Sequence, residues 1–249
     1  MRKLRDFPPE GVLAEVTTLT FQARPLLVPR PELASIVVGF LARAQRMTGL
    51  PVCAFSFLPD HYHLLVRVSN AGQLARFMAY FNAGVAREVN RLTGWGSFVW
   101  AARGYRARVV PADEGAQVER LRTLLGHPCR EELAARCLDW VGPHSTRALL
   151  EEAPLDGLWF SRSQESAARR KGEVIPAHRF ATPEPLRLAP LPCWERLKPR
   201  RRRRLVGDLV AGIEAASALA REIRERLGGG AIPPCWARAR RDRRETWIA

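Results

Sequence analysis

The chain has few of the features that mark secreted or membrane-spanning proteins. No apolar run is long enough to span a bilayer, and the basic residues 1–5 are not followed by the apolar stretch of a signal peptide. The five cysteines form no Cys-x-x-Cys pair, and their odd number argues against a disulfide framework. We therefore expect a cytoplasmic protein with reduced thiols.

Acidic charge is also scarce. The 249 residues carry 25 Asp and Glu against 40 Lys and Arg, a formal net charge of +15. Almost all of the positive charge is arginine, which binds phosphate through two parallel hydrogen bonds and stacks on bases. This balance favours a polyanionic partner, either nucleic acid or an anionic membrane surface. The hydrophobic fraction of 47% is enough to bury a sizeable core.

The most informative stretch is residues 52–68, VCAFSFLPDHYHLLVRV. Two apolar runs joined by Pro59-Asp60 predict a β-hairpin. In its second strand the side chains alternate, so that His61 and His63 share one face and Tyr62 points to the core. Two neutral imidazoles on one face of a rigid strand can bind one metal ion. A lone His-x-His pair is more often two partly exposed histidines, so its weight depends on the motifs around it.

The periodicity around this hairpin predicts the remaining elements. Strands are expected at 16–21 and 98–110, and helices at 31–47, 72–92 and 114–127. The order predicts an α+β fold: a ferredoxin-like β-α-β-β-α-β antiparallel sheet with helices on one face. The open face, with the two histidines, would receive nucleic acid. We predict two domains, 1–150 and 151–249, the second a Pro-rich linker with a basic, largely helical C-terminal extension.

Several segments in a fixed order resemble one protein family. FLPDHYHLLVRV is similar to the His-hydrophobic-His (HUH) strand of single-tyrosine transposases, specifically the REP-associated tyrosine transposase group. Residues 82–94 resemble the helix that follows this strand, and residues 98–110 the family's Trp-x-x-Arg-Tyr/Phe strand. Residues 121–133 resemble its helix end with Asn-Pro, and residues 139–145 its Asp-Trp-x-x-Ser segment. The resemblance covers roughly residues 10–150 and implies the same ferredoxin-like fold.

The resemblance implies a metal-dependent DNA transposase or nickase. In that class two histidines and a third ligand hold a divalent cation, Mg²⁺ or Mn²⁺, which polarises a phosphate of single-stranded DNA. A tyrosine then attacks and forms a covalent phosphotyrosine. Alignment on Pro128 places His127 at the third-ligand position and Thr123 at the tyrosine position. Residues four apart share a helix face, so both are expected to face the metal.

The tyrosine position is where this chain departs from the family. An aliphatic hydroxyl such as that of Thr123 has a far higher pKa than a phenol and is a worse leaving group. Only three tyrosines exist, Tyr62, Tyr80 and Tyr105. Of these Tyr105 is the alternative nucleophile, although a packing or base-stacking role is favoured for it. Covalent strand transfer is therefore in doubt.

The resemblance and the charge together imply a single-stranded or hairpin DNA partner and no membrane, with the chain a monomer or a homodimer. The residues expected to contact DNA are arginines and one aromatic: Arg87, Arg91, Trp100, Arg103, Arg106, Arg108, Arg201, Arg202 and Arg203.

One alternative is a catalytically inactive, domesticated nucleic-acid-binding protein, which Thr123 favours. Another is an RNA-binding module of RRM-like fold, ranked lower because the Lys/Arg-Gly-Phe-x-Phe strand signature is lacking.

Overall fold

The computed structural model describes residues 11–176 and 179–228. The strands are β1 (Val12–Thr20), β2 (Val52–Leu58), β3 (His61–Val68), β4 (Trp100–Val109), β5 (Leu155–Phe160) and β6 (Ala181–Leu186). The helices are α1 (Pro31–Thr48), α2 (Ala71–Thr93), α3 (Glu114–Leu125), α4 (His127–Arg130), α5 (Thr146–Glu151), α6 (Arg162–Arg170) and α7 (Pro199–Arg226). None of the helices in these two ranges is both long and apolar enough to cross a bilayer.

The main sheet has four strands in the order β2-β3-β1-β4, and every neighbouring pair is antiparallel. This is the ferredoxin-like order, so the predicted α+β fold is confirmed. The predicted hairpin turns at Pro59-Asp60, where Leu58 pairs with His61. A proline and an aspartate favour this tight turn, because one fixes φ and the other bonds to nearby backbone.

Helices α1 and α2 cover one face of the sheet. Helix α1 begins with Pro31 and ends at Gly49, whose φ of 64° suits a residue without a side chain. The side chain of Asn70 caps α2 by accepting a hydrogen bond from the backbone of Gln73. Every second residue of β3 from Tyr62 onward is fully buried in this helix-side core. The alternation predicted from the sequence therefore holds.

Helices pack on the second face as well, not on one face only. Leu65 on the sheet and Leu121 on α3 belong to a second core that α7 completes with Val206 and Leu209. Helix α7 packs there because its apolar stripe is stabilised when it is buried against other apolar side chains. The face expected to be open to nucleic acid is thus covered over part of its area.

Residues 151–200, expected as a linker, contain the β5–β6 hairpin, which packs on α1. The two backbones meet at glycines: a Cβ on Gly157 would lie 2.2 Å from the backbone nitrogen of Gly39. Phe160 and Leu186 from the hairpin join the helix-side core. The segment is therefore folded, and α7 supplies the predicted helix of the extension. The division of the chain at residue 150 stays a prediction, and residues 229–249 lie outside the described residues.

Candidate metal and nucleic-acid site

Three histidines meet on the second face of the sheet. One nitrogen from each of His61, His63 and His127 lies within 4.8 Å of the other two. The ring centroids are 5.1 Å apart for His61 and His63, and 4.9 and 4.8 Å from these to His127. The first two project from β3 by alternation, and the third comes from α4. The structure thus brings together the three residues that the sequence proposed as metal ligands; below, they are called the histidine cluster.

Acidic and hydroxyl groups hold the outer nitrogens of two of these rings. Nδ1 of His61 lies 2.7 Å from Oδ1 of Asp60. Nδ1 of His63 lies 3.0 Å from the Thr17 hydroxyl and 3.3 Å from the Glu15 carboxylate. Partners of this kind fix the tautomer and orientation of metal-binding histidines. They leave Nε2 of both rings as the nitrogen available to a shared ion.

The electrostatics of the cluster favour neutral imidazoles. Burial, followed by the charges of His61 and His63, lowers the pKa of His127 to about 2. Burial also lowers the pKa of His63; the hydrogen bond to Glu15 opposes this shift, and the charge of His61 adds to it. Burial raises the pKa of Glu15, but the hydrogen bond to His63 and the charge of Arg120 lower it more. Neutral imidazole is the form that binds metal, so the cluster is compatible with a metal site at neutral pH.

The donor set also bears on which ion fits. Three imidazoles suit a first-row transition metal, whereas Mg²⁺ prefers an octahedron of oxygen atoms. Of the two ions that the resemblance implies, Mn²⁺ therefore fits these residues better than Mg²⁺. The identity of the ion stays a prediction.

All three tyrosines lie with the helix-side core and not with the histidine cluster. Tyr62 is fully buried and its hydroxyl donates to the Asn82 side chain. Tyr80 and the half-buried Tyr105 pack against the same core. Tyr105 pairs with Thr18 across β1, whereas His63 pairs with the neighbouring Thr17, so the two side chains leave opposite faces. The structure does not bring Tyr105 to the cluster.

Thr123 lies in a different environment from His127. It lines a groove between α3 and α7 together with Gly126 and Ile213, and its carbonyl accepts a hydrogen bond from Arg130. Helix α3 ends at Leu125 and His127 begins a new short helix. Thr123 and His127 were predicted to share a face because they lie four residues apart in one helix. They belong to two different helices, so that spacing does not place them on one face.

Two of the predicted DNA-binding residues lie beside the cluster. Arg106 pairs across β1 with Thr17, which in turn pairs with His63, so Arg106 projects from the cluster's face. Arg108 follows on the same face opposite Glu15, and both arginines are exposed. Both cations therefore lie on the face of the sheet that carries the histidine cluster.

The other predicted contacts are spread over the molecule. Trp100 donates its indole N–H to the Asn82 carbonyl and packs on the helix-side core. Arg91 is paired with Glu88 and Glu32 on the helix layer. Arg87 is exposed on α2, Arg201 and Arg203 are exposed at the start of α7, and Arg202 is paired with Glu152. The side chain of Arg103 lies outside what the structure describes.

The partners of the histidines were missed by sequence reasoning. Asp60 could have been found, because it directly precedes His61 in the hairpin turn. Glu15 and Thr17 are far from the histidines in sequence, and only the register of β1 against β3 places them opposite Leu65 and His63. No local pattern carries that information.

No protein-family model matches the chain, and no curated protein matches it. Among solved structures, a REP-associated tyrosine transposase bound to a REP hairpin is similar at 12% identity and a TM-score of 0.45, over 61% of this chain and 86% of that one. A Deinococcus radiodurans protein described as a transposase is similar at 21% identity and a TM-score of 0.35, over 49% and 95%.

Proposed function

We propose that this chain is a transposase-family protein that binds single-stranded or hairpin DNA through a divalent cation held by the histidine cluster, without a tyrosine nucleophile. The sequence motifs support the family and the class of ligand. A hairpin is also the ligand in the description of the similar REP-associated transposase.

The single observation that carries the proposal is the cluster itself. Burial lowers the pKa of His63 and of His127, which favours their neutral form, and Asp60, Thr17 and Glu15 orient the rings of His61 and His63. When bound, a divalent cation there would neutralise phosphate charge. Arg106 and Arg108 on the same face add backbone contacts that carry no sequence information.

The position of the tyrosines supports binding over covalent cleavage. A nucleophile must come within hydrogen-bonding range of the reacting group. Tyr62, Tyr80 and Tyr105 all pack with the helix-side core, behind the sheet as seen from the cluster. Thr123, at the family's tyrosine position, lines the groove against α7. We therefore favour the inactive alternative over the transposase or nickase that the resemblance alone implies.

The test is a binding measurement with a labelled DNA hairpin that carries single-stranded flanks. Fluorescence anisotropy is recorded with Mn²⁺, with Zn²⁺ and with a chelator, for the wild type and for His63→Ala. We expect the metal to tighten binding to the wild type and to have no effect on His63→Ala. Tyr105→Phe, which removes only a hydroxyl behind the sheet, is the matched control. Equal binding with metal and with chelator would contradict the proposal, as would equal affinity for a blunt duplex.

A further inference from the structure

An aromatic group lies at the end of the sheet where β3 begins. Phe98 is 77% exposed, although it is a large apolar side chain. The guanidinium carbon of Arg24 lies 4.6 Å from the centre of the Trp95 ring, and the Trp95 indole donates to the Phe98 carbonyl at 2.9 Å. Arg24, Trp95 and Phe98 are called the platform below.

The loop that carries Trp95 and Phe98 is held by hydrogen bonds on both sides. The Asn90 side chain donates to the Ser97 carbonyl at 3.0 Å, which anchors the loop to α2. The backbone of Phe21 donates to the Val99 carbonyl at 2.7 Å, which anchors it to the end of β1. An aromatic surface held in place loses little conformational entropy when a ligand stacks on it.

The segment that supplies Arg24 is strained. Gln22 and Ala23 both have left-handed backbone conformations, with φ of 53° and 48°, and neither is a glycine. Such strain persists only where the surroundings enforce it, and it concentrates at functional sites. Here the enforcing contact is the Thr20 hydroxyl, 2.6 Å from the Arg24 carbonyl.

The same threonine connects the platform to the histidine cluster. The Thr20 hydroxyl lies 2.9 Å from the Asp60 carbonyl, and the Thr20 backbone donates to that carbonyl at 2.8 Å. The Asp60 carboxylate in turn holds His61. The platform and the cluster are therefore connected through Thr20 and Asp60 at the same end of the sheet.

We propose that the platform binds the unpaired bases of a single DNA strand whose backbone passes the histidine cluster; the choice of ligand rests on the function proposed above. Every base has a π-face, and aromatic rings and arginine planes stack on it without reading its sequence. A base inside a duplex has both faces occupied by its neighbours, so the platform selects single strands. Trp100, Tyr105 and Trp95 are all half-buried against the helix-side core. The exposed ring of Phe98 and the exposed guanidinium of Arg24 therefore supply the stacking surface, with Trp95 beneath Arg24.

The test compares Phe98→Ala and Arg24→Ala with Leu219→Ala, a matched truncation of an apolar side chain that is 56% exposed on α7. Affinities are measured for a single-stranded oligonucleotide, for a duplex of the same sequence, and for single strands with one abasic position moved along the sequence. We expect each platform variant to weaken single-strand binding about ten-fold, the effect of losing one stacked base. Duplex binding and metal binding should be unchanged, and one abasic position should abolish the difference between wild type and Phe98→Ala.

The outcomes separate this inference from the function on which it rests. If the wild type does not bind single strands at all, the proposed function fails. If it binds and the platform variants match Leu219→Ala, only the platform is overturned. Equal losses on duplex and single strand would also overturn it.

Discussion

The carboxylate of Asp60 lies 2.7 Å from Nδ1 of His61, its neighbour in sequence. The two residues lie at the turn of the β2–β3 hairpin, so this turn also orients a ring of the histidine cluster. The hydrogen bond commits Nδ1 to the carboxylate and leaves Nε2 for an ion. The cluster is thus prepared by the fold before any metal binds.

Asp60→Asn should weaken metal binding while the fold is kept. The amide has the shape of the carboxylate but lacks its charge, so it no longer raises the basicity of the ring. We expect the affinity for Mn²⁺ or Zn²⁺ to fall about 10-fold to 100-fold, as measured by isothermal titration calorimetry. The exposed Asp156 on β5 provides the control, Asp156→Asn, which should bind as the wild type does. An unchanged affinity in Asp60→Asn would show that His61 is not a ligand.

Without metal, the protein should lose stability as the pH falls below about 6.5. The pKa of folded His127 is lowered to about 2 by burial and by its histidine neighbours, and that of His63 is also lowered. In this range the unfolded chain takes up protons that the folded chain does not, which favours unfolding by up to about 1.4 kcal/mol per pH unit for each such histidine. The unfolding midpoint should therefore drop between pH 7.5 and 5.5 in the presence of a chelator.

His127→Asn is the variant that isolates this effect. It removes the titrating ring, so its stability should decline less steeply over the same pH range. A decline as steep as that of the wild type would mean that other groups dominate the acid sensitivity.

The arginines at the start of α7 should contribute to DNA binding and not to stability. Arg201 and Arg203 are exposed at the positive end of the helix dipole, where cations are unfavourable. Replacing both with alanine should reduce the slope of log K against log salt concentration by about 1 for each lost phosphate contact.

Arg202 supplies the contrasting variant. It bonds to the Glu152 carboxylate and the Leu197 carbonyl at 2.6 Å each, which ties α7 to the body. Arg202→Ala should destabilise the fold by about 1 kcal/mol and change the salt slope less. The reverse pattern, with Arg202 setting the salt slope, would contradict the assignment.

The docking of the β5–β6 hairpin on α1 makes Gly157 sensitive to substitution. In Gly157→Ala the new methyl group would meet the backbone of Gly39 at 2.2 Å, so the hairpin must move. We expect a loss of about 1–3 kcal/mol in chemical denaturation, typical of overpacking. Gly207→Ala on α7 has open space around its Cβ and should be neutral or stabilising by up to about 1 kcal/mol. Equal stabilities for the two variants would mean that the hairpin is only loosely attached.

The sequence predicted the sheet and the cluster because both depend on local patterns. Alternation placed His61 and His63 on one face and Tyr62 on the other, and the Pro-Asp pair marked the hairpin turn. The resemblance supplied His127, which no local pattern connects to β3. The four-stranded order followed from the sequence of elements.

The contacts that the sequence did not predict depend on distant residues. The fold of residues 151–200 rests on a glycine–glycine contact between α1 and β5, and prolines hide the strand pattern there. Helix α7 packs on the second face of the sheet, and its apolar stripe predicts that it is buried but not against which surface. The sequence also predicts one continuous helix over residues 114–127, whereas the structure interrupts it at Gly126, between Thr123 and His127. Gly126 packs against Ile213 of α7, a contact with a distant residue.

The absence of a tyrosine nucleophile can be tested by an adduct assay with hairpin-bearing single-stranded DNA and Mn²⁺. After incubation the protein is denatured, and covalent protein–DNA species are sought by gel shift and intact mass spectrometry. We expect the DNA to bind and no phosphotyrosine adduct to form, because all three tyrosines lie behind the sheet. A metal-dependent adduct in the wild type that Tyr105→Phe abolishes would contradict this expectation.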